Sequence, residues 1–458
     1  MALNVQQLLH INFLLYSRSP SIYKGESAED FCGRTLGEFA RCIDPCTNRN
    51  GTSDEAEWAH AAARIAEDAV LNRVRIIDSY RDADTGEAAC FLIDEQTDEA
   101  IVAFRGTGKG EWKDNFIAGA HMNHDGADPT VSPQQQKALE YLRRVEQGLR
   151  GMLTLTGHSK GGNKAKLCTL LDDRVDRCVS FDGQGFSDEF FSAHAGQIAK
   201  NAHKIENHNV AGDFVNILLN DVGRTTYYKG HRVHGNFWKN HDPSAFLSDD
   251  GSMVPDEQNM EMIELDLFLN SMLRCAQEKK KIALLSFAGD VTSALRGTDA
   301  SRRRLMDVLC DSVHAEQFSY MLAYMLKYEH ETSRITDAVE LVLDRMGLSD
   351  LRGLIAAISD LAHNELSFGI FHNLLKLCDD IPDWIVRGVR EKLIDDGSPL
   401  LFADTQIKHF LRIIARAGEQ IDEIEVRRNS GYDLAMPDAA DGLAAGIEFA
   451  RRMISGGQ

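Results

Sequence analysis

The sequence is poor in basic residues. Its 50 Lys and Arg are outnumbered by 70 Asp and Glu, which gives a formal net charge of −20. Binding to a phosphate backbone needs a basic face, so nucleic acid is not an expected partner. The sequence also lacks any run of about 18 apolar residues, the length of a membrane-spanning helix. The first residues lack the basic segment that opens a signal peptide. We therefore expect a soluble, cytoplasmic protein with no transmembrane segment.

Cysteine is scarce and scattered, with nine residues in a chain of 458. A disulfide framework is dense, even in number and set in a short chain, so this pattern indicates a reducing compartment instead. Cys42 and Cys46 are the most closely spaced cysteines, but the sequence has no second closely spaced pair to complete a four-ligand zinc site. A zinc site at these residues is therefore disfavoured. We expect no cofactor and no bound metal.

The pattern of apolar residues divides the chain into three parts. Residues 1–70 are expected to be a helical segment that packs on the core, and 71–254 an α/β domain. Residues 255–458 show apolar residues at three- and four-residue spacing, which predicts an all-helical domain of unknown role. Within the α/β part, a meander of three strands is followed by strands that alternate with helices. This order predicts a mostly parallel sheet with helices on both faces, and chemistry at the carboxyl ends of its strands.

The most informative motif is Gly157-His158-Ser159-Lys160-Gly161. It follows the apolar run 152–156 and precedes a helical pattern. A G-x-S-x-G between a strand and a helix is typical of a nucleophile elbow, in which a tight turn lifts the serine hydroxyl clear of the sheet. The pattern predicts Ser159 as a nucleophile.

A serine hydroxyl needs a base to take its proton, and the base needs a carboxylate to fix its tautomer. In this architecture the order along the chain is Ser, then Asp or Glu, then His. Asp213 comes directly after a predicted strand, and His241 lies on a loop with Pro243 two residues later. We predict Asp213 as the acid and His241 as the base. Asp182, at the end of the preceding strand, is the alternative acid.

The oxyanion that forms during acyl transfer needs hydrogen-bond donors. The backbone N–H of Lys160, directly after the nucleophile, is the first predicted donor. Thr107 follows an earlier strand and is the second, and its hydroxyl is a further candidate. Arg105 in the same loop is interpreted as a structural residue that ties the loop to a carboxylate.

A metal site is a weaker alternative. His231 and His234 are spaced as two ligands, and Asp221 precedes them. Two histidines with one distant acid are more often surface residues. Hydrolysis through a metal at this position is therefore a minor hypothesis.

Four segments together resemble the class 3 (fungal-type) lipases, and most closely the bacterial lipase-like α/β-hydrolase proteins of unassigned physiological role in that superfamily. These segments are Phe104-Arg105-Gly106-Thr107, Gly157 to Gly162, Gly212-Asp213-Phe214-Val215 and His241 to Phe246. The resemblance covers about residues 70–250 and implies an α/β-hydrolase fold, Ser159 as nucleophile, Asp213 as acid, His241 as base, and Thr107 and Lys160 as the oxyanion hole. Lys160 replaces the usual apolar residue, and no amphipathic lid follows Thr107.

From these observations we expect a serine hydrolase that cleaves carboxylic esters, of lipids or of other acyl compounds, through an acyl-enzyme. Its substrate is a small-molecule acyl ester. The alternative is a retired hydrolase fold that acts as an interaction protein through its helical domain. That domain is the part expected to contact a protein partner or a second copy of the chain.

Overall fold

The computed structural model of the protein describes residues 2–15, 32–42, 55–82, 84–85, 87–107, 114–115, 128–230, 237–276, 283–285, 308, 311, 314–328, 381–387, 390 and 404–427. The chain forms two units, Met1–Ile263 and Glu264–Gln458. The division into three parts made from the sequence stays a prediction. Among the described helices, none is both long and apolar enough to cross a membrane.

Eight strands of the first unit form one sheet, and their order in space is their order along the chain. The strands are β1 (Arg75–Arg81), β2 (Ala88–Asp94), β3 (Glu99–Phe104), β4 (Met152–His158), β5 (Arg177–Phe181), β6 (Ile205–Val210), β7 (Arg224–Tyr228) and β8 (Pro255–Asp256). Strands β1 to β3 are antiparallel, β3 to β7 are parallel, and β8 is antiparallel to β7. The predicted mostly parallel sheet is confirmed.

Helices cover both faces of this sheet, as predicted. On one face pack α1 (Val5–Leu15), α2 (Leu36–Arg41) and α3 (Glu55–Glu67). On the other lie α4 (Pro133–Val145), α5 (Lys160–Leu171), α6 (Asp188–Ala193) and α7 (Ala195–Asn201). Alternate residues of a strand serve the two layers: Ile101 packs with the first group and Val102 with the second. Central parallel strands are buried on both faces, which explains why their sequences are nearly continuous apolar runs.

Local sequence signals account for the start of α4. Ser132 accepts a hydrogen bond from the backbone N–H of Gln135, and the Gln135 side chain accepts one from the backbone N–H of Ser132. This capping box, with Pro133 in the first turn, ends the preceding loop and begins the helix. The same helix then closes over the sheet through Leu139 and Leu142, which are buried.

Past the last strand, the described elements are helical. They include α8 (Met260–Cys275), α9 (Ala315–Tyr328) and α10 (Asp404–Arg427). Helices α9 and α10 pack together, and the buried hydroxyl of Ser319 donates to the carbonyl oxygen of Ile413 across their contact at 3.1 Å. The helical character predicted for this part of the chain therefore holds in its described residues.

Candidate active site

Ser159 lies in a strained turn between β4 and α5. Its backbone has φ 60° and ψ −129°, a conformation that residues other than glycine rarely adopt. Two glycines permit the turn, because a Cβ on Gly157 would lie 2.1 Å from the carbonyl carbon of Gly161, and a Cβ on Gly161 would lie 2.1 Å from the carbonyl oxygen of Phe104. The spacing G-x-S-x-G is therefore a packing requirement, and the turn has the geometry of a nucleophile elbow.

The structure brings together the three side chains that the sequence predicts as a triad. Nε2 of His241 lies 2.8 Å from Oγ of Ser159, and Nδ1 of His241 lies 3.0 Å from Oδ1 of Asp213. These residues are 82 and 28 positions apart along the chain, and the sheet places them at one edge. Ser159 and Asp213 are buried, and the His241 side chain keeps 11% of its surface exposed. The arrangement can pass a proton from a serine hydroxyl to an imidazole whose other nitrogen faces a carboxylate.

Asp213 is held by the turn that follows β6. Its two oxygens accept hydrogen bonds from the backbone N–H groups of Val215 and Asn216, each at 3.2 Å. Gly212, at φ +84°, makes the turn possible, because a Cβ there would be strained and would meet the Asn259 side chain. Burial raises the pKa of Asp213, and the backbone N–H groups oppose that shift by stabilising the charged form.

Asp182, the alternative acid, follows β5 and is also fully buried. One of its oxygens, Oδ1, accepts from the backbone N–H of Val210 at 2.7 Å and from Nδ2 of Asn216 at 2.9 Å. Asn216 also donates its backbone N–H to Oδ2 of Asp213, so one residue binds both carboxyl groups. Of the two candidate acids, Asp213 thus provides the oxygen at 3.0 Å from Nδ1 of His241, and Asp182 shares the partner Asn216 with Asp213.

The loop after β3 carries Thr107, the predicted second oxyanion donor. Oγ1 of Thr107 accepts a hydrogen bond from Nδ2 of Asn115 at 2.7 Å, and the backbone carbonyl of Asn115 accepts one from the Gln184 side chain at 2.9 Å. Since Asn115 fills an acceptor position of the hydroxyl, the O–H of Thr107 remains available as a donor. No signal in the sequence indicates Asn115, because its role depends on contacts with Thr107 and Gln184, which no periodicity predicts.

Lys160 contributes two groups of different kinds. Its backbone N–H lies at the start of α5, where the first N–H groups have no partner within the helix. Its side chain is buried, and Nζ lies 2.9 Å from Oδ2 of Asp114 and donates to the carbonyl oxygen of Asp114 at 3.2 Å. Asp114 also accepts from the Ser132 hydroxyl at 2.8 Å. The lysine that stands in place of an apolar residue therefore ties residues 114–115 to the helix that follows the nucleophile.

Two further lysines of α5 are buried and paired. Lys164 binds the carboxylate of Glu87, which is itself fully buried, and burial raises the pKa of Glu87 to about 7. Nζ of Lys166 lies 2.6 Å from a carboxylate oxygen of Asp221. Arg105 is buried, and its charge acts on Glu87, in keeping with a structural role.

The minor metal hypothesis combined Asp221 with His231 and His234. Asp221 is an ion-pair partner of Lys166. His231 and His234 lie outside the described residues, and so does Cys46 of the disfavoured zinc pair.

One group of side chains in the described part of the chain has ligand atoms close enough for a metal ion. His158, Asp182 and His241 offer such atoms within 4.8 Å of one another. Both nitrogens of His241 already face other groups, Nε2 facing Ser159 and Nδ1 facing Asp213. A metal bound by His241 would therefore take the place of one of these contacts, and the geometry fits a proton-transfer chain better than a metal centre.

The sheet order and the elbow define a lipase-like α/β-hydrolase fold for the first unit. Residues 59–227 match the Mbeg1-like family, which supports the predicted lipase-like superfamily. The matched range includes Ser159, Asp182 and Asp213 and ends before His241. The search of curated proteins found no match.

Solved structures to which this chain is similar include three fungal lipases. A triacylglycerol lipase from Penicillium expansum is 16% identical, with a TM-score of 0.27, over 34% of this chain and 71% of that one. The Lip2 lipase from Yarrowia lipolytica is 14% identical, with a TM-score of 0.31, over 52% and 81% of the two chains. A triacylglyceride lipase from Rhizomucor miehei is 13% identical, with a TM-score of 0.29, over 49% and 78%.

Proposed function

We propose that the first unit is a serine hydrolase that cleaves carboxylic esters, with Ser159 as nucleophile, His241 as base and Asp213 as acid. The observation that carries this proposal is the continuous chain of contacts from Oγ of Ser159 through both nitrogens of His241 to Oδ1 of Asp213. The strained backbone at Ser159 adds support, since strain of this kind concentrates at functional sites.

In the proposed reaction, Oγ of Ser159 attacks the acyl carbon of the ester while Nε2 of His241 takes the hydroxyl proton. Asp213 stabilises the imidazolium that forms. The C–O bond to the leaving alcohol then breaks, His241 gives its proton to that alcohol, and the acyl group stays on Ser159. Water, activated by His241, attacks the acyl-enzyme and releases the carboxylic acid, which restores the serine hydroxyl.

The negative charge that develops on the carbonyl oxygen needs donors at a fixed position. The backbone N–H groups of Lys160 and Thr107 are the proposed donors, and the Thr107 hydroxyl adds a third. Asn115 and Asp114 keep this loop in place through Thr107 and Lys160. Donors that are ordered before the substrate arrives need no reorganisation during the reaction.

The chemical class of the substrate is proposed as an acyl ester, of a lipid or of another alcohol. A panel of p-nitrophenyl esters with graded acyl length tests this with the purified full chain. We expect hydrolysis by the parent protein and a loss of roughly 10⁶-fold in kcat for Ser159→Ala. Ser180→Ala, a buried serine on the neighbouring strand β5, is the matched control and should hydrolyse the esters as the parent does. Equal rates for Ser159→Ala and the parent would refute the proposal.

A further inference from the structure

Two buried carboxyl groups, those of Asp182 and Asp213, lie together at the proposed site. Asp182 and Asp213 are each 0% exposed, and Asn216 binds both of them: its backbone N–H donates to Oδ2 of Asp213 at 3.2 Å, and its Nδ2 donates to Oδ1 of Asp182 at 2.9 Å. Within the described chain, neither is ion-paired with a lysine or arginine. The titratable groups that face them are two imidazoles, His158 with Nε2 at 4.0 Å from Oδ2 of Asp182, and His241 with Nδ1 at 3.0 Å from Asp213.

The hydrogen bonds differ between the two carboxyls. Asp213 receives N–H groups on both oxygens, from Val215 and Asn216, and faces Nδ1 of His241 as well, which is the environment of a charged carboxylate. On Asp182 the two donors converge on Oδ1. Oδ2 is buried and receives no N–H or O–H donor from the described side chains. Two carboxyl groups form a hydrogen bond only if one of them holds a proton, and Oδ2 of Asp182 is the oxygen left to hold it.

We propose that Asp182 is a positioning residue that keeps a proton on Oδ2 and donates it to the carboxylate of Asp213. The pair then carries one negative charge, located on the acid that faces His241. This inference rests on the proposed function, because it gives Asp182 a role in orienting the triad acid. In this scheme Asp182 acts on the triad only through Asp213.

The electrostatics of the site agree with this assignment. Burial, followed by the charge of Asp213, raises the pKa of Asp182 well above its usual range. Burial also lowers the pKa of His158, as does the neighbouring His241, so His158 is neutral and supplies no positive charge. Like charges at hydrogen-bond distance do not both persist in a buried site, and one carboxyl of such a pair keeps its proton.

Replacement of Asp182 by Asn and by Ala separates this role from a charged one. Asn keeps an acceptor in place of Oδ1 and supplies an N–H donor in place of the protonated Oδ2, with the same shape. We expect Asp182→Ala to lower kcat by roughly tenfold or more with little change in KM, because Asp213 loses a donor. Asp182→Asn should restore kcat to within about threefold of the parent.

The pH profile of kcat/KM gives a readout that a merely structural role would not move. If Asp182 is neutral, Asp182→Asn changes no charge, and the acid limb of the profile stays at the same pH. If Asp182 is charged, the same substitution removes a negative charge close to His241. The acid limb then moves to lower pH by on the order of one unit, and such a shift would overturn the proposal.

A second measurement needs no catalysis. At neutral pH, the infrared difference spectrum between the parent and Asp182→Asn should contain the carbonyl stretch of one protonated carboxyl group. Asp176→Asn is the control, because Asp176 is half-exposed and paired with Arg174 at 3.0 Å, and its difference spectrum should lack that band. If Asp182→Asn does not fold, the band is sought in the parent labelled with ¹³C-aspartate, where it should move to lower frequency.

Absence of the protonated band in the parent overturns the inference about Asp182. Failure of the proposed function is distinguishable, because it appears as a parent protein that neither hydrolyses esters nor reacts at Ser159. In that case the infrared spectrum still reports where the proton lies.

Discussion

Replacement of Asp213 by Asn removes the charge that faces His241 while it keeps the size of the side chain. The proposed mechanism needs that charge for two purposes. It holds the imidazole in the tautomer with the proton on Nδ1, so that Nε2 can accept the serine proton, and it stabilises the imidazolium in the transition state. An amide can present its NH₂ group to Nδ1 and so favour the wrong tautomer. We therefore expect Asp213→Asn to fold and to lose most of its activity.

The size of the loss follows from the geometry. The carboxylate oxygen lies 3.0 Å from Nδ1, and Asp213 is fully buried. With an effective dielectric constant of about 20, opposite unit charges at this distance attract by on the order of 5 kcal/mol. Each 1.36 kcal/mol corresponds to about a tenfold change in rate, so kcat should fall by roughly 10⁴-fold.

Hydrolysis of a p-nitrophenyl ester at a pH above the acid limb is the assay, with kcat and KM determined separately. Asp176→Asn is the matched control, because Asp176 lies at the end of the strands away from Ser159, where it accepts a hydrogen bond from the backbone N–H of Leu153. Its kcat should stay within about twofold of the parent value. A loss of less than tenfold for Asp213→Asn, in a folded variant, would refute the assignment of the triad acid. A 10⁴-fold loss in Asp182→Asn instead would transfer that role to Asp182.

Two other predictions concern Thr107, in the loop after β3, and the buried ion pair between Lys164 and Glu87. Thr107→Val keeps the shape of the side chain and removes the hydroxyl, and should lower kcat by on the order of 10²-fold with KM nearly unchanged. Thr169→Val, which removes a hydroxyl bonded within α5, is its control, and an equal loss in both variants would contradict the role of Thr107. Lys164→Met removes the lysine paired with buried Glu87 and should destabilise the protein by about 3–5 kcal/mol in denaturant unfolding. Addition of Glu87→Gln should recover most of that loss, and no recovery would show that the buried charge is not the cause.

Much of the sheet was accessible from the sequence. Strands β3 and β4 are short apolar runs bounded by turn residues, and a buried parallel strand needs just such a run. The nucleophile elbow could also be predicted, because Gly157 and Gly161 occupy positions where a Cβ would clash with the backbone and only glycine fits. Chain order and the neighbouring turn residues predict Asp213 and His241, and the structure places the His241 nitrogens 2.8 Å from Oγ of Ser159 and 3.0 Å from Oδ1 of Asp213.

Other features of the site were not accessible, because they depend on contacts between distant loops. Nothing in the local sequence indicates that Asn115 binds the Thr107 hydroxyl, or that Lys160 turns inward to Asp114. Lysine side chains are usually exposed, and Lys160 can be buried because Asp114 supplies a counter-charge. The link between Asp182 and Asp213 through Asn216 likewise appears only once two neighbouring strands end at the same edge.

Covalent labelling of Ser159 tests the central claim most directly. A fluorophosphonate reacts with a serine only where a base activates the hydroxyl, so the full-length protein should gain one adduct, on the peptide that contains Ser159. Ser159→Ala should gain none, and Ser180→Ala should be labelled as the parent is. A parent protein that stays unmodified, or an adduct on a different residue, would contradict the account and favour a retired hydrolase fold.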